Sequence, residues 1–546
     1  MRVMVTTALR TSRIVKPLTR ASGPRWIWPM SLAAGGCVLF AAYLRQARTV
    51  PIMSDGASNA LQAWDMLHGN LLLHGWTLTD LSFYTIDLPE YMALELVHGL
   101  NPGTARAAAA LTYTLVVLGA VLLAKGRVTG KEGMVRAVLA AVIMLAPPLG
   151  LTTTTLISDP DHTATQIPLL AVWAILDRAR PRWWIPVLVT VVLAWAQLAD
   201  PVIAYAGVLP IVVVCAVQLY RARGQAPWPP LRESWYALSL AGGSILSIGF
   251  ADLALRLVQR AGGFVLTPLN TTFAPVSALS SHLAVTAESV LALFGADFSG
   301  DQLSAHAGIA LLHLAGVALA GWAIVRALRQ FADAELVVRI LAVAVVVLLV
   351  AYTTNGASSV VNGPHEIVGI LPAGAVLAGR VLAGPLIRGR HLALVAVLVA
   401  CCAALLIHDS AQPPGPDANR QLAGWLRTHH LSYGLATYWN ASSVTLDSDG
   451  AVQVRPVNRD ASGAIAPVDR DSVRSWYSPR QHDARFLVVP RSGASCSDGF
   501  RSQWLGAADA DFGPPAVSYR VGKSIILVWS HNLLGHLARA LPAGVC

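Results

Sequence analysis

The stretch Trp26–Asn70 reads WIWPMSLAAGGCVLFAAYLRQARTVPIMSDGASNALQAWDMLHGN. Its first part, Trp26–Leu44, carries no charged residue and approaches the roughly 20 apolar residues that cross a bilayer core. Six cations precede it: Arg2, Arg10, Arg13, Lys16, Arg20 and Arg25. A basic segment before an apolar run could be a secretory signal, but no small-residue cleavage site follows, so residues 26–44 read as a retained first span. Beyond Arg48 the character changes. Asp55–Leu72 sets Ala60, Trp64, Leu67 and Leu71 on one helical face, the spacing of a helix with one apolar side.

Further apolar runs follow at 104–124, 134–152, 163–177, 183–199, 201–220, 235–256, 305–325, 337–354, 366–386 and 391–407. Together with the first they predict about eleven spans. The pair around Asp200-Pro201 predicts a tight hairpin, because proline cannot continue the helical hydrogen-bond ladder. Composition agrees: 55% of the 546 residues are hydrophobic and 13% charged, against about 25% charged in a soluble protein. Disorder and a large soluble fold are excluded on that ground.

The net charge of +10 could suggest nucleic acid, but the placement of the cations decides otherwise. One set of alternate loops carries Lys125, Arg127 and Lys131, then Arg178, Arg180 and Arg182, then Arg221, Arg223 and Arg232, then Arg326 and Arg329, then Arg388 and Arg390. The opposite loops have no Lys or Arg across 49–105, 261–325 and 340–379. Such alternation follows the positive-inside rule. It predicts a multi-pass plasma-membrane protein with residues 1–25 cytoplasmic, an extracytoplasmic C-terminus and no nucleic-acid partner.

Two outer loops are long, 45–103 and 257–304. Besides the Asp55–Leu72 segment, Pro89–Leu100 aligns Met92, Leu96 and Leu100, and a third such segment falls near Ala284–Phe294. These read as helices at the membrane surface. The tail, 408–546, opens on the proline-rich linker Ala411–Asp417 and then has ordinary soluble composition. A helix is expected at Ala418–His430 with Asp417 as its cap. Strands are expected at Ser443–Leu446, Val452–Val457, Phe486–Val489 and Ser524–Trp529. The fold class is thus an α-helical polytopic membrane domain, 26–407, followed by a small α/β domain outside the membrane.

Cys37, Cys215, Cys401 and Cys402 fall in spans, as small apolar residues. Cys496 and Cys546 make the one pair in the tail. An oxidising compartment permits a disulfide between them, worth about 4 kcal/mol on the chain-entropy model; two free thiols are the alternative.

Chemistry is expected in the cation-poor loops. Asp55 follows a span closely and opens an amphipathic helix, which fixes it in place. Asp65, Asp80 and Glu95 read as solubilising or capping acids. Asp87 and Glu90 lie in the same loop and join the candidates. The short loop Ser158-Asp159-Pro160-Asp161-His162 gathers two carboxylates and an imidazole, a set able to bind a hard divalent cation or simply to cap the next helix. Asn362-Gly363-Pro364-His365-Glu366 offers an imidazole that would pair with a phosphate when protonated, or reach the interface. No glycine-rich phosphate loop precedes a lysine, no CxxC occurs and Gly-x-Ser-x-Gly is absent, so nucleotide-driven work, a zinc cluster and a serine hydrolase are unsupported. The tail has no obvious catalytic cluster.

The layout resembles the GT-C superfamily of polytopic membrane glycosyltransferases, which use polyprenyl-phosphate sugars. The resemblance is carried by a basic N-terminus and one span, then Ser54-Asp55-Gly56-Ala57 and the helix Asn59-Ala-Leu-Gln-Ala-Trp-Asp65-Met-Leu-His-Gly-Asn70, acids at Asp159 and Asp161 in a second outer loop, and a soluble domain after the last span. It covers 30–407 as architecture and 54–70 and 158–162 as specific residues. Gly434-Leu-Ala-Thr-Tyr-Trp439 and Leu527-Val-Trp529-Ser-His-Asn532 resemble domains appended to bacterial members. The resemblance implies a sugar moved from a polyprenyl-phosphate donor to a glycan, lipid or protein acceptor of the cell envelope, at the outer face of the membrane. It implies Asp55 as general base or acceptor-positioning acid. Asp159 and Asp161, with His162, Asp87 and Glu90, would support the acceptor or a cation, and His365 would meet the donor phosphate. Two departures stand out: Gly56, not a second acid, follows Asp55, and His365 stands where an arginine is common. A lipid-linked-glycan transporter or flippase and a non-catalytic envelope-assembly protein are the alternatives; a transporter should show inverted repeats and mid-membrane charges.

Overall fold

The structure is a computed structural model; it describes residues 27–158, 161–223, 231–268, 272–298, 305–359, 363–490 and 500–538. Every predicted apolar run contains helix: Ile27–Gln46, Pro102–Lys125, Gly130–Met144, Gln166–Arg178, Trp184–Ala199, Leu209–Arg223, Leu231–Arg260, Ala305–Arg329, Leu336–Thr354, Ile370–Arg388 and Leu392–Ser410. Among the described residues eight helices are long and apolar enough to cross a membrane. One of the eight was read as a surface segment: Val276–Phe294. It turns inward where Ala274 N–H donates to Thr354 O (2.9 Å), and Ala292, Leu293 and Phe294 at its far end are buried in the bundle. Its sequence looked amphipathic because its leading turns face outward while Thr286, Ser289 and this last turn are covered.

The bundle has two unlike ends. At the basic end Arg380, almost fully buried, ties three helices together. Its Nε and Nη2 donate to Leu123 O (2.9 and 2.6 Å), and Nη1 reaches Asp177 Oδ1 and Glu335 Oε2, both at 2.7 Å. At the other end the cation-poor loops gather beneath the tail. Ser158 Oγ donates to Pro51 O (2.7 Å), Ser82 N–H to Ala199 O (3.1 Å) and Gly415 N–H to Arg48 O (2.9 Å), while Arg106 pairs with Asp417 at 3.1 Å.

The tail is an α/β unit. Its six-stranded sheet runs in the order Ile465–Pro467, Gln453–Arg459, Tyr433–Thr437, Phe486–Pro490, Ser524–Val528, Val517–Val521. The central Tyr433–Thr437 is parallel to both neighbours and the remaining pairings are antiparallel. Asp417 does cap the helix Ala418–Thr428, accepting from Arg420 N–H at 3.1 Å. The expected strand Ser443–Leu446 is instead part of a helix, Tyr438–Asp447. Ala441 through Leu446 are all buried, between the sheet and the helix Ser54–Leu67. Ser443-Val-Thr-Leu446 alternates polar and apolar residues, as a strand would, and burial of both faces in the fold overrides that local pattern.

A second, three-stranded sheet joins the parts. Trp76–Leu78 pairs in parallel with Val265–Leu266 and antiparallel with Ser472–Val473. One strand comes from each of the long loops 45–103 and 257–304 and one from the tail. A cluster of Ile52, Ala57, Trp76, Leu78, Leu88, Tyr91, Phe264 and Leu446 packs around it. Both Cys496 and Cys546 lie outside the described residues, as does Asp159.

Removing one partner of a buried ion pair leaves an uncompensated charge and typically costs about 3–5 kcal/mol. Arg380→Ala strands Asp177 and the Leu123 carbonyl together. We expect a loss of that order, read as a lower thermal midpoint of the detergent-solubilised protein; an unchanged midpoint would show that the Arg380 junction is not what holds the basic end.

Candidate functional site

Asp55 sits in the first turn of the helix Ser54–Leu67, where unpaired backbone N–H groups favour negative charge. The tail pins that turn. Ser54 Oγ donates to Tyr438 O at 2.6 Å, and Ser443 Oγ donates to Ile52 O at 3.1 Å. Asp55 is 7% exposed. Tyr438 Oη contacts both Asp55 Oδ1 and, at 2.7 Å, Asp471 Oδ2. Asp471 also accepts from Gln62 Nε2 at 3.3 Å. Arg470 lies 5.5 Å from the Tyr438 ring centroid.

A phenol has one proton, so both contacts of Tyr438 are hydrogen bonds only if a carboxyl supplies a second. Burial, reinforced by the nearby Asp55 charge, pushes the Asp471 carboxyl up to about 7. Burial and the two carboxylates also push the Tyr438 phenol well above its usual value. Tyr438 therefore bridges Asp55 and Asp471, and the raised Asp471 carboxyl holds a proton more readily than an ordinary acid. Arg470 works against burial: Tyr438, Asp55, Asp471 and Asp80 together raise its pKa, so it stays charged. The sequence reading found no catalytic cluster in the tail and no cation along the chain near Asp55. The fold supplies Tyr438, Arg470 and Asp471 from more than 380 residues away.

A second constellation forms at the same end. His162 Nδ1 meets Asp200 Oδ2 at 2.8 Å, and Asp200 Oδ1 accepts from Val202 N–H at 2.8 Å. Asp200, 1% exposed, was read only as part of a hairpin. Burial opposes a charged His162, but Asp200, Glu366 and Asp161 outweigh it and raise the ring to about 10. π-helical turns at Thr154–Ser158 and Ala204–Val208 flank the two loops; such turns often mark functional sites. His162 itself has φ 55°, a left-handed conformation that costs energy for a side chain of this size.

The loop 45–103 delivers Asp87 to this place. Ser82 Oγ donates to Leu198 O, and Thr85 Oγ1 donates to Trp195 O at 2.7 Å. Burial first, then Glu90, Asp161 and Asp200, hold the Asp87 carboxyl well above the usual carboxylate range. Glu90 accepts from Thr112 Oγ1 at 2.7 Å, and burial raises it to about 7. His365 joins from the late loop, but burial and the positive His162 lower it to about 4. It is neutral there, against the expectation of an imidazolium. Asp87 and His162 thus lie near both Asp161 and Asp200, Glu90 joins the group beside Asp87, and His365 joins it beside His162. Ser158 links this group to the Asp55 group through Pro51. Among the described residues no set of three or more His, Cys, Asp or Glu is arranged to hold a metal ion. Asp65 is structural: its Oδ2 accepts from Asn70 Nδ2 (2.6 Å) and Trp76 Nε1 (2.8 Å).

A carboxyl whose folded pKa lies above its unfolded one contributes stability below the unfolded value and loses it as pH rises through the folded value. For Asp471 the window runs from the ordinary carboxylate range to about 7. Asn cannot ionise, so Asp471→Asn should gain thermal stability relative to wild type between pH 5 and pH 8, by of order a few kcal/mol. A pH-independent difference would mean that Asp471 is already ionised at pH 5.

No family model matches the chain, and no curated protein sequence matches it. Solved structures do. The crystal structure of ArnT from Cupriavidus metallidurans in the apo state is 12% identical, with a TM-score of 0.53 over 92% of this chain and 97% of that one. The same protein bound to undecaprenyl phosphate is 14% identical with the same TM-score and coverage. An Archaeoglobus fulgidus oligosaccharyltransferase in the apo form follows at 11% identity and a TM-score of 0.46, over 85% of this chain and 70% of its own. The ArnT match runs nearly end to end through membrane helices and tail alike, and the chain has the GT-C-like fold of a polytopic membrane protein.

Proposed function

We propose that this protein is a membrane glycosyltransferase that moves a sugar from a polyprenyl-phosphate donor to an acceptor of the cell envelope, with the transfer at the outer face. The observation that carries this is the buried Asp55–Tyr438–Asp471 arrangement with Arg470 beside it, set where the first span and the tail meet. The fold shared with ArnT, a protein crystallised with undecaprenyl phosphate, supports a polyprenyl-phosphate partner.

The chemistry needs few parts. The acceptor hydroxyl oxygen bonds to the anomeric carbon as the carbon–oxygen bond to phosphate breaks. The hydroxyl proton goes to a base, and the polyprenyl phosphate leaves with the electron pair. Asp55, held in place by its contact with Tyr438, is the base. Arg470 supplies positive charge close to where phosphate charge grows. The acids around Asp200 and the neutral His365 would orient acceptor or donor by hydrogen bonding. No nucleotide site is required, since the lipid phosphate already activates the sugar. The positive-inside pattern and the gathering of the cation-poor loops under the tail support an outward-facing site, with the N-terminus in the cytoplasm.

General-base help is worth about 10²–10⁴-fold. Asp55→Asn should therefore cut sugar transfer in proteoliposomes at least about a hundredfold while the protein still folds. Asp483→Asn, an exposed partner of Arg485 on the tail, should leave the rate unchanged and serves as the control. Wild-type turnover in Asp55→Asn removes the assignment.

His365 gives a separate test. A neutral ring contributes one hydrogen bond rather than a charge, so His365→Gln should retain most donor binding and His365→Ala should weaken it by about tenfold. Unchanged donor affinity in His365→Ala would exclude it from the donor contact.

A further inference from the structure

A cavity of about 480 Å³ opens at the far end of the Asp55 helix, between the first outer loop and the tail. That volume lies within the usual range for small-ligand sites. It is lined by aromatic rings and planar hydrogen-bonding groups rather than by aliphatic side chains. Trp64 packs on His68 with ring centroids 4.3 Å apart, and Trp76 meets Trp476 edge to face at 5.1 Å. The Arg455 guanidinium lies 3.8 Å over the Trp476 ring. It also donates to Gln453 Oε1 at 2.7 Å, while Asp65 and Asn70 close the opposite wall.

We infer that this cleft binds a glycan. A pyranose ring has an apolar face of C–H groups and a rim of hydroxyls. The aromatic faces suit the first, and the carboxylate, amides and guanidinium suit paired hydroxyls on the second. A lipid chain would want more than the three aliphatic residues, Leu61, Leu100 and Val473, that the lining offers. A phosphate would want more positive charge, and the lining sets Asp65 against Arg455.

Its position gives the glycan a role. Asp55 and Asp65 are ten residues apart on one helix, about 15 Å at 1.5 Å per residue. A glycan seated on Trp64 and Trp476 and running along that helix would present a more distant hydroxyl to Asp55. The cleft is thus a holding site for an oligosaccharide acceptor, which rests on the transferase reading for its role but not for its binding. It draws on both the first outer loop and the tail, so neither would hold the sugar alone.

The test uses the full-length protein in lipid nanodiscs, without donor, against an array of defined bacterial envelope oligosaccharides and a matched peptide array. The expected result is binding to a restricted set of glycans, weakened about tenfold or more by Trp64→Ala. Ser475→Trp, at an exposed wall position, should block the cleft and abolish binding without touching the core. The inference is overturned if no glycan binds, if peptides bind in their place, or if both variants bind as wild type does. Glycan binding by a protein that shows no transfer overturns the transferase reading and leaves the cleft standing; transfer without glycan binding here overturns the cleft alone.

Discussion

The structure depends on a very small sheet. Trp76–Leu78 receives Val265–Leu266 on one edge and Ser472–Val473 of the tail on the other. Strands of two or three residues have little stability of their own. They persist here because Trp76 and Leu78 are buried and Phe264 and Leu446 pack beside them. The consequence reaches beyond packing. Asp471 immediately precedes the tail strand Ser472–Val473, so pairing of that strand with Trp76–Leu78 carries Asp471 to Tyr438 and Asp55. The candidate catalytic group therefore exists only in the assembled molecule, and the tail is part of the site rather than an appendage to it.

Burial forces the acids at this end into distinct solutions. An isolated ionised carboxylate is too costly to bury. Asp200 is compensated by a histidine that its own field keeps charged. Asp87 and Glu90 instead hold protons more tightly than exposed acids do. Asp471 is bridged to Asp55 by Tyr438, and burial followed by the Asp55 charge raises it. Raised acids and an ion pair thus coexist within two neighbouring groups, and His365 is lowered first by its own burial and then by the positive His162. Groups pushed to opposite protonation states by their surroundings are the raw material of acid–base chemistry.

Much of this was legible in the sequence, and what was not has a common cause. The apolar runs, the loop charges and the position of Asp55 after the first span are local signals, and all point to the observed polytopic fold. Asp87, Glu90, Asp161, His162 and His365 could be chosen because each lies in a cation-poor loop. Tyr438, Arg470 and Asp471 carry no such mark: their meaning comes from a contact across the whole chain, which no spacing encodes. Asp200 looked like half of a proline hairpin, and its burial against His162 needed the fold. Ser443–Leu446 was misassigned because its alternating Ser-Val-Thr-Leu pattern is that of a strand, while its packing in the fold makes it helix. The segment near Ala284–Phe294 looked superficial because the leading turns of its helix face outward while Thr286, Ser289 and the last turn are covered.

The helix Ser54–Leu67 carries the argument to its last step. Asp55 is in its first turn, and Trp64 and Asp65 are in its last. The first turn is held by Tyr438 and Ser443 of the tail, and the last is held by Asp65 bonding to Trp76, a residue of the joining sheet. Both ends thus answer to the same contacts between loop and tail. A shift of the tail would move the base and the cleft together and keep their separation, because the rigid element between them is the helix itself. That geometry favours a long acceptor, gripped at a distance and delivered at one hydroxyl, over a small one that Asp55 and its neighbours would have to hold unaided.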